Sequence, residues 1–233
     1  MVYFYGMKIT PDIYTPYSLE PIPILEVSLN KYTTINLSFD NHELKDFDLE
    51  NLEECQNYID KVLKRSNATV AYGGYLEQRN LYQYKSIFSS MGQSQRNIHL
   101  GLDFWCKAGT KVIAPLNGVV HSFRNNHANG DYGPTIILEH NYKSKVFYSL
   151  YGHLSVTSLI DLYKGKSFCK GDILGELGTH EENVNYAPHL HFQLINDISD
   201  YCGDYPGVCA KEDLDFYSKN CPNPNLLLNL ETC

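Results

Sequence analysis

KVFYSLYGHL at residues 145–154 and PHLHFQLI at residues 188–195 decide how this chain folds. Each is a short run rich in β-branched, aromatic and leucine residues, too brief for a typical helix and bounded by Gly, Pro or Asn. KVIAPLNGVVHSF at 111–123 and PTIILEH at 134–140 continue the pattern, with turn residues gathered at 115–118, 129–134 and 164–171. Short strands at this spacing predict an antiparallel β-sandwich or open barrel from about residue 98 to 195. The expected fold class is mainly β, or α+β when the whole chain is counted.

Working outward, residues 1–70 read as a small mixed α/β appendage, and residues 71–233 as the β domain with a loop-rich C-terminal tail. ILEVSL (24–29) and TTINLSF (33–39) are strand-like. A helix is expected from Asp48 as N-cap, with Leu49, Leu52, Tyr58, Ile59, Val62 and Leu63 on one face. Its acidic residues lie near the N-terminus and Lys61, Lys64 and Arg65 near the C-terminus, as the helix dipole favours. VAYGGYLEQRNLYQY, from Val70, combines a Gly-Gly turn with aromatics, among them Tyr75 and Tyr82, that suit a groove rim. The tail is expected to carry a short helix near residues 212–218.

The chain has 233 residues and a formal net charge of -8, which argues against a nucleic-acid backbone as partner. No apolar stretch approaches the length of a membrane span, and the first residues show no basic n-region or apolar h-region. The expected location is cytoplasmic, with action at the cell wall or outside the cell only through another export route. Seven cysteines form no C-x-x-C pair, so a structural zinc knuckle is not expected and reduced thiols are.

His189 and His191 are two apart in a predicted strand, so both imidazoles project from one face and Leu190 and Phe192 from the other. His99 and Asp103 are four apart, again an even offset, with Gly101 between them leaving space above. One imidazole and one carboxylate, joined by a third ligand from a distant strand, match the open three-ligand count of a catalytic zinc site; structural sites usually close with four. Water in the remaining position would ionise near pH 7 and become a nucleophile. His153 follows an apolar run and a glycine, which exposes it at a strand end.

HLGLDF, AGTKVIAPLNGVV, YGPTIILEH, YSLYGHL, KGDILGELG and APHLHFQL resemble the successive motifs of the lysostaphin/LytM-type zinc endopeptidases. The resemblance implies a peptidase core, one Zn2+ per chain held by His99, Asp103 and His191, and His153 and His189 as acid/base and oxyanion partners. It also implies a peptide or peptidoglycan substrate, cut at cross-links or beside glycine or a D-amino acid. Two departures bear on substrate. GTHEENVNYAP before the H-x-H pair is longer and more acidic than the family's usual turn. GGYLEQRNLY, RNIHLGLDFW and GDYPGVC resemble a branch in which the domain occurs alone or fused to an aminotransferase and a kinase-like domain. A metal-holding binding module and a cytosolic hydrolase of small amide metabolites therefore stand as alternatives.

His121, His127, His140 and His180 read as loop or strand-edge residues. Asp131, Glu181 and Glu182 fit either an acidic rim selective for an amine or solvated loop charge. Trp105 and Tyr132 are expected as cleft walls, with Trp105 reading equally well as a core anchor.

Overall fold

The strand-like runs expected at 134–140 and 145–154 form and pair with each other as an antiparallel hairpin. In the computed structural model, residues 21–79, 95–128, 130–142 and 144–230 are described. The strands, in chain order, begin with β1 (Tyr32–Thr34), β2 (Val70–Gly73), β3 (Arg96–His99) and β4 (Leu102–Trp105). They continue with β5 (Lys111–Ile113), β6 (Gly118–Asn126), β7 (Gly133–Tyr142) and β8 (Lys145–Gly152). Then come β9 (Ser167–Phe168), β10 (Ile173–Glu176), β11 (His189–Ile195) and β12 (Val208–Ala210). The helices are α1 (Leu52–Arg65), α2 (Leu214–Asn220) and α3 (Asn225–Leu228). Among the described residues no helix is long and apolar enough to cross a membrane.

Eight strands make one sheet in the order β1-β2-β4-β11-β8-β7-β6-β9, and β10-β5 and β12-β3 form two small ribbons. The mainly β expectation holds, as an open sheet; among the described residues no barrel closes. All pairs in the large sheet are antiparallel except β1 with β2, which is parallel, so the sheet is mixed. The sheet also runs across residue 70, because β1 joins β2 and β2 joins β4.

Strand β11 lies in the interior of the sheet, and all seven of its residues are buried. Leu190, Phe192 and Leu194 enter the main core with Phe104, Ile136 and Tyr151, and each such side chain contributes roughly 1.5–3 kcal/mol by leaving water. The alternation of the strand then fixes His189, His191 and Gln193 on its other face.

Three local readings are corrected. Asn51, not Asp48, caps α1: its side chain accepts from the N–H groups of Glu53 and Glu54, while Asp48 accepts from Glu50 in the turn before. The expected helical face does pack, with Tyr58, Ile59 and Val62 against Leu37, Ala71 and Trp105. ILEVSL forms no strand; Leu25 makes one bridge to Val112, and a 3-10 turn begins at Leu29. TTINLSF is strand only as far as Thr34. The tail helix appears as α2, and β12 ties the tail to β3. Among the described residues Cys106, Cys169, Cys202, Cys209 and Cys221 form no disulfide; Cys233 and Tyr82 lie outside the described residues.

Candidate metal centre

His99 closes β3 and Asp103 lies within β4, on either side of a break at Leu100 and Gly101. The two are therefore not neighbours along one face of a single strand, as their even offset suggested. Strand β3 pairs with β12, whereas β4 pairs with β11 and β2. The turn folds His99 back over Asp103, and register puts Asp103 opposite His191. Gly101 sits beneath this junction. A Cβ there would come within 2.8 Å of the His191 ring and 2.7 Å of the Phe192 carbonyl oxygen.

The three side chains converge. His99 Nε2 is 2.9 Å from His191 Nδ1 and 3.2 Å from Asp103 Oδ1, and His191 Nδ1 is 3.1 Å from Asp103 Oδ1. All three residues are buried. The tautomers follow from what lies behind each ring. His99 Nδ1 is 2.9 Å from the Gly74 carbonyl oxygen, which can only accept, so Nδ1 carries the proton. Gln193 Nε2 donates to the Pro206 carbonyl at 3.1 Å, which turns Gln193 Oε1 toward His191 Nε2 at 2.9 Å; that nitrogen too must donate.

Both rings thus present bare lone pairs to each other and to a carboxylate oxygen. Three acceptors with no proton between them repel unless a cation sits among them. A tetrahedral zinc with bonds of about 2.0–2.1 Å keeps its donors about 3.3–3.4 Å apart, slightly wider than the triangle here. The donor set and its spacing fit such an ion. Burial pushes the Asp103 carboxyl up, but the His99 imidazole and the Arg79 guanidinium outweigh it and hold it well below the usual carboxylate range. Burial, helped by Arg79, lowers His99.

His189 and His153 stand beside this triangle. The His189 Nδ1–H donates to the Ala187 carbonyl at 2.7 Å, which leaves its Nε2 with the lone pair. Trp105 stacks on the ring at 5.6 Å between centroids. His153 follows the end of β8 with φ +64, a left-handed conformation rare outside glycine, and its N–H donates to the Tyr132 carbonyl at 2.8 Å. Its Nδ1 is buried without an aligned hydrogen bond, as is Oδ1 of Asn183, which lies against it and favours its charged form. Burial, then the neighbouring His189 and His191, hold the His153 imidazole well below its usual value; burial pushes His189 down to about 4.

All five histidine and aspartate residues line one cleft of about 340 Å³. Tyr132 and Trp105 wall it, as expected, and Trp105 is also a core residue. Tyr132 is clamped at its tip: a Cβ on Gly207 would meet its hydroxyl at 1.9 Å, which accounts for the glycine of GDYPGV. Asp131 lines the cleft, whereas Glu181 and Glu182 border a separate recess with His127. Glu182 accepts the N–H groups of Val156 and Thr179 and serves as loop bracing. His180 is exposed beside Glu181, and His121 packs on Tyr148. Tyr75 donates its hydroxyl to the Cys221 carbonyl at 2.8 Å and lies outside the cleft lining.

Sequence reasoning missed Gln193, Asn183 and the Glu77–Arg79 pair. Gln193 was within reach of the same rule that paired the histidines, because H-x-H-x-Q continues the alternation on one strand face.

Residues 97–201 match Peptidase family M23. The matched segment is just under half of the chain and contains all five residues expected at the centre. The chain is similar to the lysostaphin catalytic domain from Staphylococcus simulans at 28% identity, over 52% of this chain and 80% of that one, with a TM-score of 0.36. Against full lysostaphin the share of that chain falls to 44%. A single-residue mutant of the catalytic domain of the prophage-encoded M23 protein EnpA from Enterococcus faecalis is 20% identical over 52% of this chain and 87% of that one, with a TM-score of 0.36. No curated protein matches the chain. The M23 match supports a metallopeptidase, as the motifs implied.

Proposed function

We propose that this protein is a zinc-dependent endopeptidase acting on peptidoglycan cross-links or on glycine- and D-amino-acid-containing peptides. The observation that carries the proposal is the meeting of three proton-free donors, from His99, Asp103 and His191, in a buried triangle that opens on a cleft. The M23 match over residues 97–201 supports both the reaction class and the substrate class.

His99, Asp103 and His191 would hold a zinc ion, which would supply Lewis-acid polarisation of the scissile carbonyl and bring the ionisation of water to about pH 7. The protein does the rest. His189 Nε2, bare because Nδ1 is tied to Ala187, accepts the proton of the attacking water. His153, its ring held by the left-handed turn and enclosed by Tyr132, Tyr186 and His189, hydrogen-bonds the developing oxyanion. Keeping both imidazoles neutral in the resting state leaves one free to take a proton and the pair free of mutual repulsion. Trp105 and Tyr132 exclude water from either side.

The test is direct. Protein loaded with one equivalent of zinc is incubated with purified peptidoglycan, with oligoglycine and with D-Ala-containing peptides, and new amino termini are sought by mass spectrometry. Cleavage by the wild type and none by His191→Ala is the expected result. No new terminus from any substrate at full zinc occupancy would sink the endopeptidase and favour a binding module.

A further inference from the structure

Arg79 is enclosed in the protein with 2% of its side chain exposed, against an Asp103 that is equally enclosed. Its Nη1 donates to Asp103 Oδ2 at 2.6 Å, and its Nε donates to Glu77 Oε2 at 2.6 Å. The other oxygen of Glu77 accepts the Leu37 N–H at 2.9 Å. Backbone bonds pin both partners beside the centre: Arg79 N–H reaches the Asn97 carbonyl at 2.9 Å and His99 N–H reaches the Glu77 carbonyl at 3.0 Å. The guanidinium also lies 5.5 Å from the centre of the Trp105 ring.

This arrangement divides the Asp103 carboxylate. Oδ2 belongs to the arginine, and Oδ1 is left facing the imidazoles of His99 and His191. A cation beside a metal site would ordinarily repel the metal. Here Glu77 offsets part of that charge, and the guanidinium, besides keeping Asp103 ionised, supplies a rigid fork. A lysine in the same place would keep the charge and lose the fixed geometry. The same segment holds a second ligand: the Gly74 carbonyl takes the His99 proton, and a Cβ on Gly74 would lie 1.9 Å from Arg79 Nη2. The glycine is thus required for the arginine to reach its place.

We infer that Arg79 is a positioning residue that fixes Asp103 as a one-oxygen metal ligand, and that Gly74 to Arg79 serves as an outer brace for two of the three ligands. The inference rests on reading the His99–Asp103–His191 triangle as a zinc site. Partners behind a metal ligand typically set 10–100-fold of metal affinity. A brace that existed only to hold the fold would leave that affinity untouched.

Arg79→Lys tests it. Zinc affinity is measured by competition with a chromophoric chelator, and ligand geometry by the visible d–d absorption of the Co2+-loaded protein. The expected result is zinc binding weaker by roughly 10–100-fold and shifted cobalt bands, in a protein whose circular dichroism matches the wild type. A folded Arg79→Lys protein with wild-type zinc affinity and an unchanged cobalt spectrum overturns the inference. Should Arg79→Lys fail to fold, Glu77→Gln, which frees the back of the fork, is read in the same way; weaker zinc binding supports the brace and unchanged binding overturns it. Wild type and His191→Ala run alongside. Absence of zinc binding by the wild type removes the metal centre itself, whereas binding lost in His191→Ala and intact in Arg79→Lys removes only the role of Arg79.

Discussion

The imidazoles of His153 and His189 lie with ring centroids 4.1 Å apart and planes inclined by 38°. At that separation two positive charges would repel strongly in a buried setting, so one ring at most carries a proton beyond its neutral form. The proposed mechanism accordingly gives the two rings different tasks. Replacing either by Ala is expected to lower the cleavage rate by about 100-fold or more, with zinc content unchanged because neither belongs to the triangle. Rates and metal analysis on the two single variants and the double variant check this. The double variant should be little worse than either single one, as for groups that act as a unit.

Zinc should stabilise the fold as well as activate it. The three facing donors repel in the metal-free state, and an ion that binds only the folded chain adds stability by mass action, about 2.7 kcal/mol at one hundred times its dissociation constant. Thermal melts with and without a chelator should separate clearly, and zinc should restore the higher transition. Coincident melts for metal-free and loaded wild type would contradict this.

Gly101→Ala is expected to injure both fold and site. The added methyl would meet the His191 ring at 2.8 Å and the Phe192 carbonyl oxygen at 2.7 Å. Overpacking of this kind costs roughly 1–3 kcal/mol, and here one of the displaced groups is a proposed ligand. Urea unfolding of the metal-free protein reads the first effect, and zinc titration reads the second.

His140 gives a pH dependence away from the centre. It is buried, its Nδ1–H donates to the Asn117 carbonyl at 2.8 Å, and Ser149 hydrogen-bonds its Nε2 at 2.6 Å. Burial pushes its imidazole down to about 4, despite the lift from that carbonyl. An unfolded imidazole titrates near 6.5, so between the two values protons favour the unfolded chain. The contribution is complete above about pH 6.5 and is lost as pH falls toward about 4, to the extent of about 3 kcal/mol. His140→Gln, which can still donate and accept, should flatten the acid limb of stability against pH. An identical limb in the variant would show that other groups set it.

Much of this was legible in the chain. Period-2 alternation placed His189 and His191 on one face and Leu190 and Phe192 on the other, because a strand leaves no other choice. Turn residues located the strands of the β7–β8 hairpin. What failed was local competition. Asp48 and Asn51 are both good caps, and only the turn at Asp48 decides that the helix waits for Asn51. The even spacing of His99 and Asp103 suggested one strand, whereas a break at Gly101 does the joining. Arg79 was invisible for a different reason. Nothing in E-x-R announces burial, and its meaning depends on contact with a carboxylate 24 positions further on.

Gln193 hydrogen-bonds in two directions, forward to His191 and back to the Pro206 carbonyl and the Cys221 sulfur. The segment after β11 therefore dictates the orientation of an amide, and the amide dictates which imidazole nitrogen is left bare. Turning that amide over would set its N–H group against His191 Nε2 and put the ring proton on Nδ1, the nitrogen proposed to face zinc. An apparently ornamental terminus in this protein is part of its acid–base grammar.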